Sequence, residues 1–455
     1  MKILTQLMVT LLCFGSVFST LFAQQPNRGL VLKTESASPG YTLIAPFGGQ
    51  STYLIDLDGK VVHQWTTNRK PSQAAYLLDD GSLLRTYKVA NKVFDIPGGP
   101  AGGIQKFDWN GKLVWDFQIN SDVMMSHHDI EPLSNGNVLV VAWERKTMQQ
   151  AIEAGRDPEK LVDGCLWPET ILELKPNGLN DAKIVWQWNV WDHLIQSHDQ
   201  TKNNFGSPDQ HREKIDLNYI DRPIADWIHC NSIDYNPQLD QIMLCGRTFD
   251  EIWVIDHSTT TAEAATEKGG RTGQGGDLLF RWGNPFTYFA GTPFDQKLFG
   301  QHDPHWIPQG LPGAGRVLVF NNGSDRDERP FSTVDELQLK VDSTGRYPYE
   351  PEEPFGPDKL TWRYEAGNTL YSQRVSGSQR LPNGNTLICE GETGRVFEVS
   401  QAGKIVWDYE NTLGQPADGQ QPNSGRSLGG VAMFRANLYP MDHPAFADRQ
   451  LKPKE

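Results

Sequence analysis

The stretch NGNTLICEGETGRVFEVSQAGKIVWDYE (383–410) contains three short β-strands and the turns that join them. TLICE, RVFEVS and KIVWDY alternate apolar and polar residues with period two and are rich in β-branched and aromatic side chains. Asn383-Gly384 lies between apolar runs, which is a strong short-range hairpin signal.

The same pattern recurs outward from this stretch. Its last part, an alternating run ending in aromatic-x-aromatic, returns as DGKVVHQW (58–65), NGKLVWDF (110–117), AKIVWQW (182–188), DLLFRWG (277–283) and KLTWRYE (359–365). In the first copy His63 replaces the leading aromatic. Its middle part returns as TYLIDL (52–57), IQKFDW (104–109), TILELK (170–175), EIWVID (251–256) and DELQLKV (335–341). Its first part returns as DGSLLRTY (80–87), NGNVLVVAW (135–143), QIMLCGR (241–247) and GRVLVFNNG (315–323). Each unit is thus a set of four antiparallel strands A, B, C and D, with A preceding the hairpin turn. Four-stranded units repeated around an axis are propeller blades. Five blades read as complete. The sixth takes B, C and D from residues 39–65 and A from GVAMFRANLY (430–439), closing the ring with both termini and leaving no open blade edge. The expected fold is all-β, a six-bladed β-propeller over residues 39–440. The copies run evenly, without a linker, which disfavours a series of separate β-domains.

The ends are read separately. Lys2, an apolar run to Phe22 and the small residue Ala23 before Gln24-Gln25-Pro26 make a secretory signal peptide over residues 1–23. Residues 24–38 form an N-terminal extension and 441–455 a tail. No stretch is long and apolar enough for stable membrane insertion, so a periplasmic or secreted protein is expected. Removal of 1–23, which carries one Lys and no acid, takes the formal charge from -14 to -15. That balance disfavours nucleic acid as a partner. Four cysteines remain without a CxxC, giving no support for structural zinc. Cys230 and Cys245, on paired A and B strands, are placed to form a disulfide.

Insertions interrupt the repeat at 144–169 (B to C, with a helix-like TMQQAIEAG), 189–226 (D to A), and 257–276 and 342–358 (C to D). In this topology D-to-A and B-to-C connections open at one mouth. The starts of the A strands at that mouth read SHHDIEPL (126–133), IHCNSIDY (228–235), QHDPHWIP (301–308) and VSGSQRL (375–381). Three of the 11 histidines, His128, His229 and His302, occupy one slot of three consecutive blades, with Ser376 in the next. Arg247, Asn321, Asn322 and Glu390 end the B strands at the same mouth. Asn231, two residues after His229, is expected on its side. Asp129 and Asp303 are expected to point the other way, and Trp227, Trp306 and Tyr371 to wall the funnel. His127 and His305 read as structural.

Arginine and several imidazoles suit a tetrahedral anion. A neutral imidazole is a competent nucleophile, and a second can serve as acid and base. Three histidines also suit catalytic zinc, but a guanidinium repels a cation. No Gly-rich phosphate signature supports a nucleotide donor; neither a cofactor nor a metal is expected. A non-enzymatic propeller binding a ligand or protein at this mouth, and a metal-dependent hydrolase or lyase, stand as alternatives.

HHD (127–129), HCNS (229–232) with Arg247 eighteen residues after its His, QHD (301–303), VFNNG (319–323) and the closing FRA (434–436) resemble the bacterial arylsulfate sulfotransferases. The resemblance covers residues 39–440. It implies a periplasmic six-bladed propeller that moves a sulfuryl group from an aryl sulfate to a phenol without a nucleotide donor. It implies that His302 is the nucleophile and carries a sulfohistidine, with His128, His229, Asn231 and Arg247 as sulfate-binding and acid/base partners. Ser376 or Ser378 stands where the family has a threonine hydroxyl. The family's β-sandwich domain before the propeller has no room in residues 24–38, so an oligomeric state does not carry over.

Overall fold

The computed structural model describes residues 28–454 except 97, 162–163, 222–223, 325, 327–329, 351–352 and 415–428. The signal-peptide reading of residues 1–23 lies outside the described residues. Six antiparallel four-stranded sheets form a ring. Blade 1 combines A from the C-terminus, Met433–Pro440, with B, C and D at Gly40–Pro46, Ser51–Ile55 and Val61–Thr66. Blade 2 runs Pro71–Leu77, Leu83–Lys88, Gly102–Phe107 and Leu113–Gln118. Blade 3 runs Met124–Pro132, Val138–Glu144, Glu169–Pro176 and Ala182–Asn189. Blade 4 runs Cys230–Asn236, Gln241–Gly246, Glu251–Asp256 and Phe280–Trp282. Blade 5 runs His302–Trp306, Val317–Asn321, Thr333–Leu337 and Trp362–Glu365. Blade 6 runs Gly377–Arg380, Thr386–Glu390, Arg395–Val399 and Ile405–Glu410. The N-terminal extension does more than lead in: Gly29–Lys33 pairs antiparallel with Ile405–Glu410 and makes a fifth strand on blade 6. That addition covers an outer edge.

The aromatic-x-aromatic repeat has a physical reason. In every blade a D-strand tryptophan donates its indole N–H to the C-to-D connection of the next blade. Trp65 reaches Asp108 O (3.0 Å), Trp115 reaches Asp181 O (3.1 Å) and Trp188 reaches Gly276 O (2.6 Å). Trp282 reaches Pro357 O, Trp362 reaches Gln401 O and Trp407 reaches Leu57 O, each at 2.9 Å. The last bond closes the circle between blades 6 and 1. Each indole buries a large apolar area while satisfying its one donor, and a net hydrogen bond of this kind stabilises by about 0.5–1.5 kcal/mol.

The two insertions expected at one mouth pack on each other. Met148–Glu153 is helical, capped by Thr147 with a reciprocal contact from Gln150. Just after it, Arg156 is buried and donates to Leu217 O, Ile220 O and Lys160 O. The Asn204 and Asn218 amides bond Ala154 O and Gly155 O.

At the opposite mouth His257 bridges blades 3 and 4 through Asp240 (2.8 Å) and Glu173 (3.1 Å). Burial is the largest influence and pulls its pKa down, but the two carboxylates outweigh it and raise it to about 9. A raised basic pKa gives stability that is complete below the ordinary value of 6.5 and lost as pH rises through about 9. The bridge contributes on the order of 3 kcal/mol at most. Denaturant melts of the native protein and His257→Gln are expected to differ near pH ~6 and to converge above pH ~9; a gap that persists unchanged at high pH would contradict this bridge.

Candidate active site at one mouth of the propeller

The A strands do not enter the channel as regular strands. Register shifts fall between residues opposite Val140 and Ala142 in blade 3, between Cys230 and Ile233 in blade 4, and between His302 and His305 in blade 5. His128 (φ 46°) and His229 (φ 54°) sit in the left-handed region. Such residues cost roughly 1–3 kcal/mol and persist where surrounding structure enforces them. In blade 5 the left-handed residue is Asp303 (φ 57°), one place later than the histidine slot, and in blade 6 they are Val375 and Ser376. The histidine slot is therefore shared in space but not residue for residue in backbone conformation.

The three imidazoles nonetheless converge. The His128 and His229 rings lie 4.5 Å apart at 76°. Burial first, then the charges of His229, His127, His302 and Arg247, holds His128 well below the ordinary imidazole range. Burial first, then Arg247, does the same for His302. Arg247 begins a short 3-10 turn, Arg247–Phe249, at the end of the blade 4 B strand. It is half-buried, and its guanidinium has no hydrogen-bond or ion-pair partner among the described residues. An unpaired guanidinium facing neutral imidazoles is an anion site in search of its anion.

Each imidazole is oriented differently. His302 Nδ1 faces two acceptors, Asn322 Oδ1 at 2.8 Å and Gly300 O at 3.1 Å. The Asn322 amide nitrogen donates to Ser372 O (2.8 Å) and Val375 O (3.0 Å), so its oxygen must face the ring. Nδ1 therefore carries the proton and Nε2 the lone pair. That lone pair accepts the Val375 N–H at 3.2 Å. His229 Nδ1 lies 2.5 Å from Asp226 Oδ2, and Trp143 Nε1 donates to Asp226 Oδ1 at 2.8 Å. Burial pulls the Asp226 carboxyl upward, but His229 and its other partners outweigh this and hold it below the ordinary carboxylate range. His128 Nδ1 lies 2.8 Å from His127 Nδ1.

Several sequence expectations need correction. Asn231 does not point into the funnel. The bulge between Cys230 and Ile233 breaks the period-two rule, and its amide donates to Gln301 O (2.8 Å) while accepting from Ser232 Oγ. It thus fixes the backbone that leads into His302. Asn322 orients His302. The Ser376 hydroxyl accepts the Gly391 N–H at 2.9 Å, whereas Ser378 Oγ is buried with no partner among the described residues. Trp227 and Trp306 belong to the core. Cys230 and Cys245 are free thiols. Cys230 pairs with Gly246, not Cys245, so the one-residue offset puts the two side chains on opposite faces.

The aspartates do point inward, one layer below the histidines, where they meet a residue from the closing strand. Arg435 of blade 1 bonds Asp129 of blade 3 and lies 2.7 Å from Asp303 of blade 5. Asp129 also accepts from Tyr76 of blade 2 (3.1 Å) and the Ile233 N–H of blade 4 (3.3 Å). Asp303 accepts the Ser378 N–H of blade 6 at 3.0 Å. One polar network thus joins the A strands of all six blades directly beneath the candidate site.

Two glycines leave room for the site. A Cβ on Gly99 (φ 87°) would stand 2.1 Å from His128 Cε1, and one on Gly300 (φ 66°) 2.2 Å from Ser324 Oγ and 3.4 Å from Arg247 Nη2. Among the described residues no three His, Cys, Asp or Glu side chains are grouped so as to hold a metal ion.

The sequence model of the family described as Arylsulfotransferase (ASST) matches residues 41–415. No curated protein matches the sequence. Among solved structures the chain is similar to a protein of unknown function from Bacteroides caccae, with 14% identity over 83% of this chain and 96% of that one, TM-score 0.43. It is also similar to the periplasmic gluconolactonase of Pseudomonas aeruginosa, with 11% identity over 82% of this chain and 96% of that one, TM-score 0.42.

Proposed function

Because this chain belongs to the arylsulfotransferase family, we propose that it carries a sulfuryl group from an aryl sulfate to a phenolic acceptor through a sulfohistidine on His302. The observation that carries this reading is Arg247, unpaired among the described residues and facing His302, whose tautomer leaves Nε2 as a lone pair. The signal-peptide pattern of residues 1–23 supports action in the periplasm or outside the cell.

In the first half-reaction the Nε2 lone pair attacks sulfur and the sulfur–aryl oxygen bond breaks. Its electron pair leaves on the aryl oxygen, which takes a proton from His229. Arg247 and His128 bind the non-bridging oxygens as charge spreads onto them. In the second half-reaction His229 takes the acceptor's proton, the phenolate oxygen attacks sulfur, and the nitrogen–sulfur pair returns to Nε2. Asp226 suits His229 to both steps, because a carboxylate on Nδ1 stabilises the imidazolium and keeps Nε2 aimed at substrate. Asn322 does the corresponding work for His302, but its upward pull on the ring is outweighed by burial and then Arg247, so the ring stays neutral and a nucleophile.

A chromogenic aryl sulfate tests this. Release of the coloured phenol is expected to accelerate with added colourless phenol, and the sulfated acceptor should form in equal amount. Release indifferent to phenol would mean hydrolysis, and no release at all would favour a binding propeller.

A further inference from the structure

His127 occupies a position that the transfer does not use, yet it is the only partner of His128 Nδ1 among the described residues. Resting on the proposed transfer for its chemistry, we infer that His127 is a positioning residue that fixes the tautomer of His128, so that His128 presents Nε2–H as a standing donor to the sulfuryl oxygens.

The geometry is restrictive. The two Nδ1 atoms are 2.8 Å apart, so one donates and the other accepts. His127 is fully buried and its ring lies flat against Trp143, with centroids 3.9 Å apart at 6°. Its other nitrogen, Nε2, is sealed from solvent with no hydrogen-bond partner among the described residues. If His127 carried its proton on Nε2, an N–H donor would be buried unpaired. If it carries the proton on Nδ1, only a lone pair is left unmatched. Buried orphan N–H groups are the rarer and costlier defect. His127 therefore donates from Nδ1, His128 Nδ1 accepts, and the proton of His128 sits on Nε2. Burial, the largest influence, also holds His127 down to about 3, which keeps this ring neutral and leaves no second proton to share. Among the described residues His128 Nε2 has no hydrogen bond, and it is not sealed as its neighbour's is.

The three imidazoles are thereby distinguished by what Nδ1 meets. An amide oxygen leaves His302 its lone pair on Nε2, a carboxylate gives His229 a movable proton, and a donating imidazole gives His128 a fixed one. Trp143 supports two of the three, since it stacks on His127 and donates to Asp226.

Nitrogen-15 NMR of histidine-labelled protein reads the tautomer directly, with the His128 signals assigned by their loss in His128→Gln. The expected result is an unprotonated Nδ1 and a protonated Nε2. Protonated Nδ1 on His128 would overturn the inference. His127→Phe keeps the stack on Trp143 but removes the donor. It is expected to move the His128 proton toward Nδ1 and to lower kcat ~10²-fold with little change in KM, the cost of one misdirected donor. His127→Asn places an amide N–H near the lost Nδ1–H and is expected to recover at least tenfold of that loss. Native turnover in His127→Phe would also overturn the inference. Absence of turnover in every form would sink the proposed transfer alone, because the nitrogen signals still decide the tautomer.

Discussion

Brief treatment with an aryl sulfate in the absence of phenol is expected to leave one sulfuryl group per chain, on the peptide that holds His302. Acid should release it, because a nitrogen–sulfur bond to imidazole is labile when protonated. His302→Ala and His302→Asn are both expected to lose label and turnover, the second excluding a steric effect. Arg247→Ala is expected to slow transfer ~10²–10³-fold while still permitting label, because it stabilises charge and forms no bond. The pH profile gives a further check. Burial and then Arg247 hold the His302 pKa well below 6.5. The ring is then neutral and nucleophilic at pH ~7, and its acid limb falls at lower pH than the ordinary imidazole titration. Label on His128 or His229, or full activity in His302→Ala, would overturn the assignment and leave the propeller untouched.

Arg435→Met is expected to have the largest effect on stability. Its guanidinium is the common partner of two carboxylates that are 0% and 6% exposed. Burial pushes the Asp129 carboxyl upward, and Arg435 opposes that push. Without Arg435 both must be protonated or left charged in the channel, a cost of about 3–5 kcal/mol for breaking a buried pair. Activity should fall too, because Asp129 and Asp303 follow His128 and His302 directly in the chain. A triple variant, Arg435→Met with Asp129→Asn and Asp303→Asn, removes all three charges. It is expected to regain most of the stability in denaturant unfolding but not the turnover. Equal stability of the native protein and Arg435→Met would show that the network does not hold the ring.

Local chemistry made the ring legible. Period-two alternation, Asn-Gly and Asp-Gly turns and the aromatic-x-aromatic ends each act within about ten residues, and they gave the six blades and the split closing blade. The same patterns missed Gly29–Lys33, because a five-residue apolar strand without its own hairpin has no signal apart from the edge it joins. They also misread the channel. Period two holds only while a strand stays regular, and the A strands bulge where they reach the site. That is why Asn231 turned to Gln301, Cys230 and Cys245 parted, and Asp129 and Asp303 faced inward.

The amino-acid sequence alone determined the propeller and brought three histidines and an arginine to one mouth, since repeating units on a rigid scaffold carry equivalent positions to equivalent places. Which atoms those histidines present was decided only by tertiary structure. Asp226 lies three residues before His229 in an irregular loop, Asn322 stands 20 residues from His302, and Arg435 stands 306 from Asp129. The last two separations exceed the reach of any local rule, and the first falls in a loop whose irregular backbone no simple period describes. A hydrogen bond depends on where two side chains meet in space: the blade 5 hairpin brings Asn322 to His302, and only the closed ring brings Arg435 to Asp129.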